Sequence, residues 1–147
     1  MRFWDSSAIV ALLVDERGSR ELLEMVERDS AIIAWWGTPT ECVSAIARRE
    51  REGSFSAADS AKAIARLRLL AESWSEILAS EQVRTVAIRL LRVHPLRSAD
   101  SLQLGAAIVA ADGEPKSLPF VCLDDRLRVA AEKEGFAVEP TGVAEGS

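Results

Sequence analysis

The sequence holds no tyrosine, one histidine and two cysteines among its 147 residues. Each shortage removes a kind of chemistry. With His94 as the single histidine, a histidine-based triad or a His-rich zinc site has almost no material. Cys42 and Cys122 stand far apart and match no zinc or redox spacing, so reduced thiols in a cytoplasmic protein are expected. No apolar run approaches the ~20 residues of a membrane span. The opening Met1-Arg2-Phe3-Trp4-Asp5 reads as structure rather than as a signal peptide. Repeats, low-complexity stretches and interdomain linkers are also missing from the sequence.

Lysine is scarce too: Lys62, Lys116 and Lys133 are the only ones among 18 basic residues, and the rest are arginine. A net charge of −5 argues against a general electrostatic grip on nucleic acid, though not against a local one. Arginines cluster at Arg48, Arg49 and Arg51, at Arg66 and Arg68, and at Arg89, Arg92 and Arg97. Their planar fork suits phosphate. With Glu50 and Glu52 interleaved, a plain solvated helix face remains the alternative.

What is present is enough for a core. A hydrophobic content of 48% over this length fits one domain, expected to span residues 1–140 with a frayed tail at 141–147. Residues 2–4 read as a short buried strand closed by Asp5, and Ser6 opens a helix with Ala8, Ile9, Leu12 and Leu13 on its apolar face. Gly18-Ser19 breaks the pattern before a second helix, which is expected to bury Leu22, Leu23 and Val26. Residues 31–36 form a continuous apolar run, as in a strand covered on both faces. Thr38-Pro39-Thr40-Glu41 then has the form of a capping box, with Thr38 as N-cap, Pro39 at the first helical position and Glu41 completing the box.

Further helices are expected from Ser56 with apolar spacing through Leu78, at 80–91, from an N-cap at Ser98 with Leu102, Ala106 and Val109 inward, and at 126–133. A very short strand is expected at 93–95, another within 118–123, and a last one at 137–138. Trp4 and Trp74 read as core. Alternating strands and helices predict an α/β domain with a central parallel sheet of four to five short strands flanked by helices. Such sheets bind ligands at the carboxyl ends of their strands.

Asp5 and Asp124 each follow a strand, Glu41 lies in the first turn after the second strand, and Asp100 opens a helix. All four map to one edge. Each also has a structural place: Asp5 and Asp124 as N-caps, Glu41 in its box, Asp100 as a partner of the helix dipole worth ~0.3–1 kcal/mol. Their shared placement is what points to chemistry. At ~6 Å and an effective dielectric of ~20, each carboxylate pair costs roughly 3 kcal/mol. Protons or a divalent cation would relieve that repulsion, and oxygen-only ligands select Mg²⁺ or Mn²⁺ over zinc. Carboxylate-held magnesium serves phosphoryl transfer. Trp35-Trp36 offers either core filling or, at Trp36, a stacking surface for a base, and Arg97 offers a phosphate contact.

Asp5-Ser6-Ser7-Ala8, Thr40-Glu41, Leu96-Arg97-Ser98-Ala99-Asp100 with Leu102-Gln103-Leu104, and Asp124-Asp125-Arg126-Leu127 together resemble PIN-domain ribonucleases. The likeness is to VapC-type toxins of toxin–antitoxin pairs, and it runs over almost the whole chain in order and spacing. The resemblance implies a PIN-like domain in which Asp5, Glu41, Asp100 and Asp124 hold Mg²⁺ for hydrolysis of RNA, with Ser6 as an auxiliary hydroxyl. It also implies a homodimer and an antitoxin that lays a C-terminal segment across the acidic site. Cys122 departs from the family, which commonly carries threonine or serine two residues before the last aspartate. A thiol is a poor magnesium ligand, so Asp124 is expected to bind through water, with Asp125 as a substitute. Two other classes compete. A catalytically inactive PIN-fold binding module would share the scaffold. A phosphoacceptor receiver would need paired acids at the first strand and a lysine late in the chain; the single Asp5 and the absence of lysine between Lys116 and Lys133 count against it.

Overall fold

Phe3 and Trp4 are neighbours in β1 (Arg2–Trp4), and both are wholly buried. They face opposite ways, because successive side chains of a strand alternate between the two faces of its sheet. Phe3 joins Ile33, Trp35 and Phe120 in one core, and Trp4 joins Ile32, Ala34 and Val121 in another. The sheet is therefore sandwiched. The computed structural model describes residues 1–142; residues 143–147, most of the expected tail, lie outside the described residues.

β1 is central in a five-stranded, all-parallel sheet of order β3-β2-β1-β4-β5, with β2 (Ile32–Trp35), β3 (Ser75–Ile77), β4 (Phe120–Val121) and β5 (Val138–Glu139). The Trp4 core is covered by α1 (Ser6–Leu13), α2 (Ser19–Arg28), α3 (Thr38–Arg51) and α4 (Ala57–Ser73). The Phe3 core is covered by α5 (Glu81–Val93), α6 (Ser98–Ala110) and α7 (Asp125–Lys133). Phe3 and Phe120 stack across the β1–β4 pair, ring centroids 5.6 Å apart and 7° from parallel. Burying each such side chain contributes about 1.5–3 kcal/mol.

The α/β class and the parallel sheet are as the sequence predicts. The strand order carries the functional hint. From β1 the chain steps outward through β2 to β3, then returns to pair β4 on the other side of β1. The order thus reverses between β1 and β4, and the crevice beyond the carboxyl ends of such strands is where open α/β sheets take ligands. Gly105 allows the layer above it to close. A Cβ there would stand 3.3 Å from both Ala87 N and Val83 O, so α6 lies directly on the backbone of α5.

Several local expectations fail for identifiable reasons. Residues 93–95 are not a strand: Val93 ends α5, and the His94 N–H closes it on Leu90 O at 2.9 Å. The strand lies instead at Ser75–Ile77, where Ser75 and Glu76 are exposed on the sheet edge and pairing with β2 overrides the apparent helical period through Leu78. Leu23 is exposed, and Met25 takes the buried place one turn after Leu22. Ser98 is the first residue of α6 rather than its cap, which is Arg97. Trp4 and Trp74 are core, as expected. The expected tail falls mainly outside the described residues, and Thr141 and Gly142 form a turn.

Candidate functional site

Three helices begin around the switch point, and an aspartate stands at the start of each. Asp5 caps α1: its Oδ2 accepts from Ser7 N at 3.1 Å and Ser7 Oγ at 2.6 Å. Asp124 caps α7 with Oδ1, which accepts from Leu127 N at 3.0 Å. Asp100 Oδ2 accepts from the backbone of Arg97, the cap of α6, at 3.3 Å. The second oxygen of each aspartate takes no hydrogen bond among the described residues. The capping and ligand readings therefore coexist, one oxygen each. The positive ends of the helices favour negative charge at this point.

Glu41 is different, and its expected capping role fails. Gly37 caps α3 without a side-chain bond, Thr38 is already helical, and Glu41 completes no capping box. Its carboxylate is turned inward, where Ser6 Oγ donates to Oε1 at 3.1 Å and Gln103 Nε2 donates to Oε2 at 3.0 Å. Thr38 Oγ1 is likewise taken, by Gln103 Nε2 at 2.9 Å. The box is undone because Gln103, fully buried on α6, offers both groups a donor inside the protein.

Asp5, Glu41, Asp100 and Asp124 all line one open cleft of ≈ 270 Å³, together with Ser6, Ser7, Glu16, Arg48, Arg49 and Leu123. An adjoining cleft of ≈ 380 Å³ shares Asp100 and Asp124 and adds Arg97, Asp125 and Arg126. Asp124 thus faces the other three acids, and Asp125 only the neighbouring space. Arg49 is tied to Glu16 by two bonds of 3.0 and 2.9 Å, whereas Arg48 is exposed at the lip. Trp36 is 57% exposed just beyond β2, edge-on to the buried Trp35 at 6.4 Å.

Burial raises the Asp5 carboxyl to about 6, against the lowering effect of Ser7, and Asp124 pushes it further up. Burial also raises Glu41 to about 7; the Gln103 bond lowers it, and the charge of Asp5 and then Asp100 raises it. Asp100 is raised by burial and by Asp124, with Arg97 and Arg126 pulling the other way. Among the described residues no three His, Cys, Asp or Glu side chains stand close enough together to hold a metal ion between them. The acids share a cleft and each other's fields, with free oxygens on three of them.

Two residues escape the sequence reading. Ser7 Oγ, besides its bond to Asp5, accepts from Leu123 N at 2.9 Å and so joins the ends of β1 and β4. Gln103 is the other, and its signal was a polar residue between Leu102 and Leu104 on an otherwise apolar helix. Cys122 is fully buried and donates to Asp5 Oδ2 at 3.5 Å; burial raises its thiol well above the ordinary range.

No family model matches the sequence, and no curated protein does. The fold does have solved counterparts. A chain of a toxin–antitoxin complex from Klebsiella pneumoniae superposes with a TM-score of 0.60 at 14% identity, over 84% of this chain and 87% of that one. FitAcB from Neisseria gonorrhoeae superposes with a TM-score of 0.62 at 16% identity, over 94% of this chain and 96% of that one. At such identities the likeness is one of fold. No helix of the described residues is long and apolar enough to cross a membrane.

Proposed function

We propose that this chain is a metal-dependent endoribonuclease of the PIN-domain, VapC type and the toxin of a toxin–antitoxin pair. The observation that carries the reading is the cleft that Asp5, Glu41, Asp100 and Asp124 line together at the sheet's switch point, with Asp5 buried and Glu41 half-buried. The fold shared with a chain of a toxin–antitoxin complex supports the toxin role and an antitoxin partner. The chemistry of the donors fits Mg²⁺, with Mn²⁺ as a substitute, because every candidate ligand is a hard oxygen and the thiol of Cys122 is protonated and turned to Asp5. Asp5 Oδ1, Asp100 Oδ1, Asp124 Oδ2 and the Glu41 carboxylate would hold the ion.

A bound Mg²⁺ would supply a water-derived nucleophile and neutralise charge on the scissile phosphate. The protein's part is to bind and orient. Ser7 and the start of α1 fix Asp5, and Ser6 fixes Glu41. Arg48 at one lip and Arg97 with Arg126 at the other would take the flanking phosphates, and exposed Trp36 would stack on a base. As the resemblance implies, attack by water rather than by the 2′-hydroxyl would leave a 5′-phosphate and a 3′-hydroxyl. The test is cleavage of structured RNA by the purified protein with Mg²⁺ or Mn²⁺ and with excess EDTA. Cleavage is expected only with metal; undiminished cleavage in EDTA would overturn the reading. A folded protein whose melting temperature ignores both metals would be a binding module instead. Homodimer formation is part of this proposal and is read by light scattering.

A further inference from the structure

Gln103 uses only half of its amide. Nε2 donates to Thr38 Oγ1 and to Glu41 Oε2, while Oε1 is buried without any hydrogen-bond partner among the described residues. For filling a core this is a poor choice, since a methionine of similar volume would leave no orphaned acceptor. The opposite orientation of the amide is worse, because its oxygen would then meet the Glu41 carboxylate, acceptor against acceptor. The donor half is therefore what the position retains.

That half acts on a single turn of α3. Thr38 and Glu41 lie three residues apart on one face, and Gln103 grips both from α6. Ser6 of α1 holds the other oxygen of the same carboxylate. Glu41 is thus pinned between donors from two helices. Three aspartates reach the cleft from the starts of their own helices, but Glu41 has only these side chains to aim it. Resting on the metal-binding reading above, we propose that Gln103 is a positioning residue that presents the Glu41 carboxylate to a divalent cation, with Thr38 steadying the amide.

The test follows metal binding by the Mn²⁺-induced rise in melting temperature and, separately, by the Mg²⁺ dependence of RNA cleavage. Gln103→Met should fold, and the Mn²⁺ concentration giving half of the melting-temperature rise should increase about 10- to 100-fold, the scale on which such supporting partners act. Half-saturating Mg²⁺ for cleavage should rise in parallel, while the rate at saturating metal falls much less. Gln103→Asn withdraws the amide by one methylene and should behave like Gln103→Met, which keeps the inference testable if the methionine variant does not fold. Thr38→Val leaves the Glu41 bond intact and should shift the midpoints less than either. Folded Gln103 variants with wild-type metal midpoints in both readouts would make Gln103 a packing residue and overturn the inference alone. A wild-type protein that shows no metal response would overturn the metal reading and this inference with it.

Discussion

Glu134 and Glu41 are both largely shielded from water, and they stand in opposite company. Glu134, just past α7, accepts from Arg89 Nη2 at 2.8 Å and is bonded to His94 Nε2 at 2.6 Å. Burial pushes its carboxyl up, but the bonds from Arg89 and His94 outweigh burial and hold it below the ordinary value. Among the described residues Glu41 has no cation within ion-pair distance; burial, then the fields of Asp5 and Asp100, raise it to about 7 against the donors Gln103 and Ser6. Folding accounts for Glu134, which fastens the end of α5 to the end of α7. Asp5 caps α1 and Glu41 links α3 to α1 and α6, yet burial works against the charge of both. A cost borne at one cleft and avoided elsewhere is what the proposed metal site would require.

The sharpest break of that contrast exchanges one acid on each side. Asp5→Asn is expected to lower metal-dependent cleavage on the order of 100-fold, the scale on which one electrostatic contributor acts. In EDTA at pH 8 the same variant should be more stable than the wild type, by up to about 3 kcal/mol, because it removes a buried charge and keeps an oxygen to cap α1. Glu134→Gln should do the reverse, with cleavage unchanged and stability lowered by about 1–2 kcal/mol as a charge-assisted pair is lost. Thermal melts and RNA cleavage on the same preparations read both. An Asp5→Asn protein less stable than wild type in EDTA would remove the contrast.

The pH dependence of the metal-free protein should follow the raised pair. A carboxyl whose folded value lies above its unfolded value binds protons more tightly when folded. Its contribution is complete below about 4 and is lost as the pH rises through about 6 for Asp5 and about 7 for Glu41. In EDTA the melting temperature should therefore fall between pH 5 and pH 8, with Asp5 contributing up to about 3 kcal/mol of the loss. Asp5→Asn should flatten that slope, and Mn²⁺ should reverse it, since metal and proton compete for the same oxygens. A melting temperature that rises with pH in EDTA, in wild type, would contradict the raised values.

The sequence announced the acids more clearly than their surroundings. Asp5, Asp100 and Asp124 were legible because each stands beside a local signal, a strand end or a helix start, and parallel topology then carries such positions to one edge. Glu41 lines the same cleft, but not through the capping box that its local sequence suggests. Its box with Thr38 satisfies every rule of spacing, yet the partner that claims both residues is Gln103, more than sixty positions away. Long-range competition of this kind leaves no trace in a window of four residues. β3 was missed for the same reason: Ser75-Glu76-Ile77 has no alternating pattern of its own, and only pairing with β2 makes it a strand. Leu23 and Met25 show the limit of periodicity, since two faces of α2 carry apolar residues and packing selects one.

The smallest expected effect concerns the cations that do approach the cleft. Arg97 and Arg126 lie beside Asp100 and lower it, and they line the adjoining cleft rather than the space around Asp5 and Glu41. If their task were to neutralise the acids, Arg126→Gln would destabilise the protein; no ion pair holds Arg126 among the described residues, so stability should stay within about 0.5 kcal/mol. If their task is to hold a phosphate of the RNA, the same variant should weaken substrate binding a few-fold and reduce the steepness of its salt dependence by about one unit of slope. Arg126→Lys keeps the charge and should keep the slope, losing only the fork geometry. KM for a short RNA measured across a NaCl series in the three proteins separates these cases. An unchanged slope in Arg126→Gln would take Arg126 out of the substrate path and leave the basic lip to Arg48 and Arg97.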